Sequence, residues 1–339
     1  MTVAVGRALP PATPSSLPRW RGFNLVEKFS IDRPERNTAF RESDFELIAG
    51  WGFDFARLPM DYRTWTDDGD CYGLKESPLA EIDQAVDWGR EYNVHVNVNF
   101  HRAPGYCVNR PREATSLWTD EATQEACAFQ WAAFAERYRG IPNERLSFNL
   151  LNEPMDVDEA THNRVIERVV AAIREKDPER LIIVDGLDLG WTPVFGLAEL
   201  DVAQSLHAYD PWRISHHRAP WFPGAEGWGE PTWPLRGVPE LIDRDTLRRQ
   251  RVQPWKALES RDVGVHVGEF GNYKETPHAV TLAWMEDFLG LFREAGWGWC
   301  LWNLRGAYGP LDSDRADVEY EEFEGHRLDG AMLDLLLRY

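Results

Sequence analysis

The stretch Asn149-Leu150-Leu151-Asn152-Glu153-Pro154 closes a strand-like run, Leu146–Asn152, and ends it on an acid. A second run, Val265–Phe270, ends in the same way within Gly268-Glu269-Phe270-Gly271. Working outward, further strand-like runs are Arg21–Leu25, Phe53–Met60, Val94–Phe100, Leu181–Asp185, Ala203–Tyr209 and Trp297–Leu304. Several are apolar on both sides, the pattern of parallel strands covered on both faces. Amphipathic helical patterns lie between them over Pro78–Tyr92, Asp120–Tyr138, Thr161–Lys176, Asp243–Ser260, Pro277–Ala295 and Met332–Tyr339. Shorter ones fall near Glu42–Ala49 and Leu197–Leu200. Eight strands alternating with about eight helices predict an α/β chain folded as one (β/α)₈ (TIM) barrel over residues 20–339. Residues 1–19, with Pro10-Pro11-Ala12-Thr13-Pro14, read as an extended arm. Three long connections, Asp61–Ser77, Asp210–Ile242 and Arg305–Asp329, follow strands 2, 6 and 8. They therefore belong on the C-terminal face, where barrel sites are built.

Composition narrows the classes. The chain has 339 residues, with 37 basic against 56 acidic side chains and a formal charge of −19. A field of that sign repels nucleic acid and anionic membranes, so neither is an expected partner, and a neutral or cationic ligand is favoured. No stretch approaches the ~20 apolar residues of a membrane helix, and no signal-peptide pattern opens the chain. A cytoplasmic monomer is expected as the chain stands, or a secreted one if an export signal has been trimmed. Cys71, Cys107, Cys127 and Cys300 form no Cys-x-x-Cys pair, so free thiols are expected. Cys71 and Cys107 share a face of the predicted fold, which leaves room for a single bridge there. Nucleotide, nucleophilic-serine and His-Glu-x-x-His motifs are absent, and His216-His217 lacks carboxylates at ligand spacing. No cofactor and no metal are expected.

The polar residues at strand ends carry the chemistry. Glu153 and Glu269 end strands four and seven, on opposite sides of the barrel mouth. Two facing carboxylates suit glycoside hydrolysis, one protonating the leaving oxygen while the other attacks the anomeric carbon. Arg57 ends strand two, and an arginine beside a carboxylate lowers its pKa and keeps it an anion. His207 and Tyr209, two apart, point to one side of strand six. There a phenol can hold a carboxylate, and an imidazole can tune the acid or hold a hydroxyl. His101 ends strand three. Trp302 ends strand eight, where an indole can stack on the apolar face of a sugar.

The set Arg57, His101, Asn152-Glu153-Pro154, His207-x-Tyr209, Gly268-Glu269-Phe270-Gly271 and Trp302 resembles glycoside hydrolase family 5, the cellulase family. The resemblance implies a (β/α)₈ barrel, retention of anomeric configuration by double displacement and no metal. It implies Glu153 as acid/base, Glu269 as nucleophile, and Asn152 on the sugar 2-hydroxyl. Arg57 and Tyr209 would hold Glu269, and His101, His207 and Trp302 would line the −1 subsite. The expected substrate is an oligo- or polysaccharide, first a β-1,4-glucan cut internally. The alternatives are a β-mannanase, an exo-acting β-glucosidase, a sugar-binding barrel without catalysis, or a metal-dependent barrel hydrolase. The Asp210–Ile242 loop holds Trp212, Trp221, Phe222, Trp228 and Trp233, and at least one of Trp212, Trp221 and Trp228 is expected to wall the site. In the loop after strand eight, Tyr308 and Asp312 are expected to reach it.

Overall fold

The structure, a computed structural model, describes residues 9–339 apart from 68 and 238. Eight parallel strands close into a barrel: β1 (Arg21–Asn24), β2 (Phe55–Asp61), β3 (His95–Arg102), β4 (Leu146–Asn149), β5 (Ile182–Asp185), β6 (Ala203–Ala208), β7 (Val265–Phe270) and β8 (Trp299–Leu301). Each pairs with its sequence neighbours, and β8 returns to β1 through Arg21 and Trp299. β2 and β3 are buried at every position, and in β3 the polar His95, Asn97, Asn99 and His101 alternate with the apolar Val96, Val98 and Phe100. Around them pack α1 (Glu42–Gly50), α2 (Glu76–Tyr92), α3 (Glu121–Arg137), α4 (Glu159–Lys176), α5 (Gln253–Glu259), α6 (His278–Ala295) and α7 (Gly330–Arg338). Asp120 and Asp158 cap α3 and α4, accepting from the backbone N–H of Thr123 and Thr161. The α4 stripe Val165, Ile166, Val169, Val170 and Ile173 is buried, as its helical spacing predicts.

Two predicted helices differ from the structure. The segment between β5 and β6 has no helix at Leu197–Leu200. It makes one tight turn, Leu187–Gly190, with Asp188 and Leu189 in the left-handed region (φ 54° and 66°), and a 3₁₀ turn at Phe195–Leu197. The segment Asp243–Ser260 is not one continuous α-helix. A turn at Arg244–Leu247 leads into a wide π turn, Arg248–Val252, and then α5. Pro254 lacks an N–H for the preceding turn, and the extra residue in the wide turn absorbs the mismatch. β4 stops at Asn149, although Leu150 and Asn152 still donate to Ile183 O and Phe100 O.

The long connections carry structure of their own. The first forms a hairpin of Thr66–Asp67 with Asp70–Leu74, and the third one of Glu321–Phe323 with His326–Leu328. All four cysteines are free, so Cys71 and Cys107 are not bridged.

The opposite end of the barrel is closed from beneath. Residues 1–8 of the expected arm lie outside the described residues. Further along, Gly264 N–H donates to Pro14 O at 2.7 Å, and Trp20 seals the floor. Its ring stacks on His95 at 3.7 Å, Phe55 stacks on His95 at 5.4 Å, and Phe55 meets His266 at 4.5 Å. His95 donates from Nδ1 to Glu144 O at 3.0 Å and accepts from the Ser147 hydroxyl at 2.7 Å. Burial holds both His95 and His266 neutral, pulling each down to about 3 from 6.5. The unfolded chain therefore binds more protons than the folded one between those values, and stability falls as pH drops through that window. We expect His266→Phe to flatten the dependence of unfolding free energy on pH between 6.5 and 4, by up to ~1.4 kcal/mol per pH unit. Denaturant melts at the two pH values check this, and identical slopes in both proteins would exclude the imidazole as the cause.

Candidate active site

The site grows from the strand ends inward. Arg57, buried in the barrel, donates from Nη1 to Glu269 Oε1 at 2.6 Å and to Asn24 Oδ1 at 2.9 Å. Its Nε donates to Asn149 Oδ1 at 2.9 Å and its Nη2 to Asn152 Oδ1 at 2.8 Å. Tyr209 OH donates to the other Glu269 oxygen at 2.9 Å. Both residues expected to hold Glu269 therefore do so. A register shift between Leu206 and His207 sets His207 opposite Glu269 in the β6–β7 ladder, the kind of irregularity that re-aims a side chain. The His207 ring bridges the two acids: Nδ1 lies 2.9 Å from Glu153 Oε1 and 3.7 Å from Glu269 Oε2. One oxygen of each glutamate and a nitrogen of His207 lie within 4.8 Å of one another.

Glu153 sits just beyond β4 with a left-handed backbone, φ 51°. Such a conformation costs of order 1–3 kcal/mol outside glycine and persists where its surroundings fix it. Here Tyr106 OH donates to Glu153 O at 2.6 Å and accepts from Met155 N at 3.0 Å, while Glu153 N donates to Asp185 Oδ2 at 3.1 Å. His101 stacks with Trp302 at 5.6 Å, with Phe29 against both rings. Asn109 donates to His101 Nε2 at 3.0 Å. The Asn152 amide nitrogen and His101 Nδ1 are buried without protein partners.

The electrostatics correct one expectation. Arg57 does not by itself fix the charge of Glu269. Burial pushes that carboxyl up from its usual range, and His207 and Arg57 only oppose the rise, because desolvating the anion is the largest effect. Burial also works against a charged His207, but the Glu269 and Asp185 carboxylates outweigh it and raise the ring to about 10. Burial and the Glu269 charge push the Tyr209 phenol well above 10, so it stays a donor. Arg57 and the His207 ring place positive charge beside both carboxyl groups of this cluster.

Comparisons with known proteins place the chain in a family. The chain matches Cellulase (glycosyl hydrolase family 5) over residues 16–307. It belongs to glycosyl hydrolase family 5. It is 27% identical over 329 residues to Endoglucanase C of Acetivibrio thermocellus, covering 88% of this chain and 95% of that protein. A crystal structure of a glycoside hydrolase superposes with a TM-score of 0.90 at 36% identity, over 94% of this chain and 99% of that one. The Cel5A structure from Thermotoga maritima with mannotriose shares the fold, with a TM-score of 0.77 at 20% identity over 94% and 97% of the two chains.

The structure also brings to the site residues that the strand-end reading does not select. Asp185 ends β5 beneath Glu153 and His207, and its only signal was an acid closing a strand-like run. Tyr308 is buried against Gly271 and 6.4 Å from the Tyr209 ring, as its loop position predicted. Asp312 does not join it. Its carboxylate accepts from His326 Nδ1 at 2.7 Å and from Arg327 N at 2.9 Å, closing the loop's own hairpin. In the aromatic loop, Trp212 stacks on Tyr209 and Trp191, and Phe222 packs on Trp212 and Trp228. Trp233 donates to Asp287. Trp221 is half exposed, standing edge-on to Tyr273 at 4.8 Å. Removing the phenol by Tyr209→Phe should lower kcat/KM on a cellooligosaccharide by roughly 10- to 100-fold, since a hydrogen bond to a charged group is worth ~1.5–3 kcal/mol. The melting temperature should barely move. A thermal melt beside the kinetics separates a lost hydrogen bond from a damaged barrel.

Proposed function

We propose that the chain is an endo-acting, retaining β-1,4-glucanase that uses Glu269 as nucleophile and Glu153 as acid/base. The approach of the two carboxyl groups to within 4.8 Å carries this reading. It matches the ~5 Å spacing of direct attack and leaves no room for the interposed water of an inverting enzyme. Glu269, oriented by Arg57 and Tyr209, attacks the anomeric carbon. Glu153 gives its proton to the departing glycosidic oxygen, and the covalent glycosyl ester forms. Glu153 then takes a proton from water, which displaces Glu269 and restores both acids with the β-configuration kept. The unpartnered Asn152 amide is placed to donate to the sugar 2-hydroxyl, and Trp302, stacked on His101, offers an apolar face to the ring. The glucan assignment rests on the similarity to Endoglucanase C, and soluble oligosaccharides are the proposed immediate substrates.

Glu269→Ala should abolish turnover while leaving the barrel folded. Glu153→Gln should lose ~10²–10⁴-fold in kcat/KM on cellotetraose but little on 2,4-dinitrophenyl β-cellobioside, whose leaving group needs no proton. Proton NMR of the first product formed reads the stereochemistry, and an initial α-anomer would overturn the mechanism. EDTA should leave the rate unchanged.

The half-exposed Trp221 extends the aromatic wall past Tyr308 and serves as a platform for an outer sugar. Trp221→Ala should therefore raise KM on cellopentaose roughly tenfold, ~1.4 kcal/mol of lost contact, while sparing aryl β-cellobioside. Equal kinetics across an oligosaccharide series would show that the loop packs only on itself.

A further inference from the structure

Asp185 is fully buried at the end of β5, and every group around it belongs to the site. Its Oδ1 accepts from Asn149 Nδ2 at 2.8 Å, the same asparagine that accepts from Arg57. Its Oδ2 accepts from Glu153 N at 3.1 Å, lies 3.2 Å from His207 Nε2, and lies 3.8 Å from Arg57 Nη2. The turn that follows β5 adds to the grip. Leu189 N donates to Pro154 O at 3.3 Å, and a Cβ on Gly190 would stand 2.9 Å from His207 Cβ and Cγ. The end of β5 thus holds the acid's backbone and the ring beside it at once.

We propose that Asp185 is a positioning residue for the proton donor, fixing His207 in its doubly protonated form and Glu153 in its left-handed backbone. The proposal rests on the reading of Glu153 as acid/base. With protons on both nitrogens, His207 donates from Nδ1 to Glu153 Oε1. The proton that Glu153 transfers then sits on its other oxygen, free to face the glycosidic bond. Without the Asp185 charge, the ring releases its second proton, the one on Nε2, more readily, and both the cationic donor to Glu153 Oε1 and the hold on the Glu153 N–H are weakened. The charged and titratable groups facing His207 are Glu153 beyond β4, Asp185 on β5, Glu269 on β7, and, at longer range, Arg57 on β2, His101 on β3 and His266 on β7. Of these, Asp185 is the carboxylate that does not react. The raised affinity of the ring for its second proton, to about 10, agrees with that geometry.

Asp185→Asn keeps the shape and removes the charge. It should lower kcat/KM on cellotetraose by roughly 10- to 100-fold, the usual cost of losing a group that orients a reacting one. On 2,4-dinitrophenyl β-cellobioside the loss should stay below about threefold, because that leaving group departs without Glu153. The alkaline limb of the kcat/KM profile on cellotetraose should also move to lower pH. In parallel, ¹⁵N-histidine NMR of the wild-type enzyme should show His207 charged through pH 8. An equal loss on both substrates in a folded Asp185→Asn variant would overturn the proposal, as would a neutral wild-type ring at pH 7. The wild-type titration decides even if the variant fails to fold. Glu153→Gln is the control: if it loses both substrates equally, the acid/base reading fails rather than the role of Asp185.

Discussion

One guanidinium in the middle of the barrel ties the molecule's folding to its chemistry. Arg57 is almost inaccessible to solvent, yet it spans the barrel from β2, reaching Asn24 on β1, Asn149 on β4, Asn152 in the loop after it and Glu269 on β7. Burying a charge is expensive unless a partner and a full set of hydrogen bonds come with it. The fork geometry of arginine lets one side chain satisfy four acceptors from three strands and the loop after one of them. The barrel closes around this cation, and the cation in turn orients Glu269 and opposes the effect of its burial. Removing Arg57 would leave Glu269 buried beside Tyr209 without its closest positive charge, so this residue cannot be optimised for stability apart from function.

Beneath that layer the interior changes character in an ordered way. Asn99 donates to Asn149 Oδ1, and Asn97 donates to the Ser147 hydroxyl, a ladder of neutral amides rather than the branched aliphatics common in such barrels. Below them the rings of Phe55, His95, His266 and Trp20 close the floor. Polarity thus increases from floor to mouth. These amide bonds run across from β3 to register partners on β4, so Asn149, which accepts from Arg57, is itself held in place. The pairing Asn149 to Asp185 carries that support across to the acid/base side.

The sequence made much of this legible because barrels put their chemistry at a predictable address. Glu153, Glu269, His101 and His207 each stand at or near the end of a strand-like run, and the long connections follow strands, as sites on the C-terminal face require; Arg57, expected to end strand two, instead sits inside β2 and reaches the site by its length. Asp185 stands at the same kind of address. It was not selected because an acid closing a short strand is ordinary, and its meaning comes only from the four groups that converge on it from β2, β4 and β6. The register shift before His207 is equally invisible in composition, since a bulge is a property of two strands together. The fifth helix failed for a local reason. Leu197–Leu200 has helical residues, but the tight left-handed turn at Asp188 and Leu189 uses the short connection to brace Pro154 and His207 instead. Asp312 shows the converse: a correct loop and a plausible acid, diverted by a histidine 14 residues along that only the folded hairpin brings alongside.

The proposed displacement also sets a charge balance for the cluster. If Arg57 and His207 enter it as cations, Glu269 and Asp185 as anions, and Glu153 with its proton, the buried group is neutral. In the first step Glu269 loses its charge to the new ester bond, while Glu153 gives its proton to the leaving sugar and becomes the anion. The total stays at zero, and the negative charge has only moved from one side of His207 to the other, a ring whose Nδ1 lies within 3.7 Å of both carboxylates. The second step reverses the move. A low-dielectric site penalises any change of net charge far more than a short displacement of it. An imidazolium held between the two acids by a third carboxylate that never reacts is therefore the arrangement in which both half-reactions meet the same electrostatic surroundings.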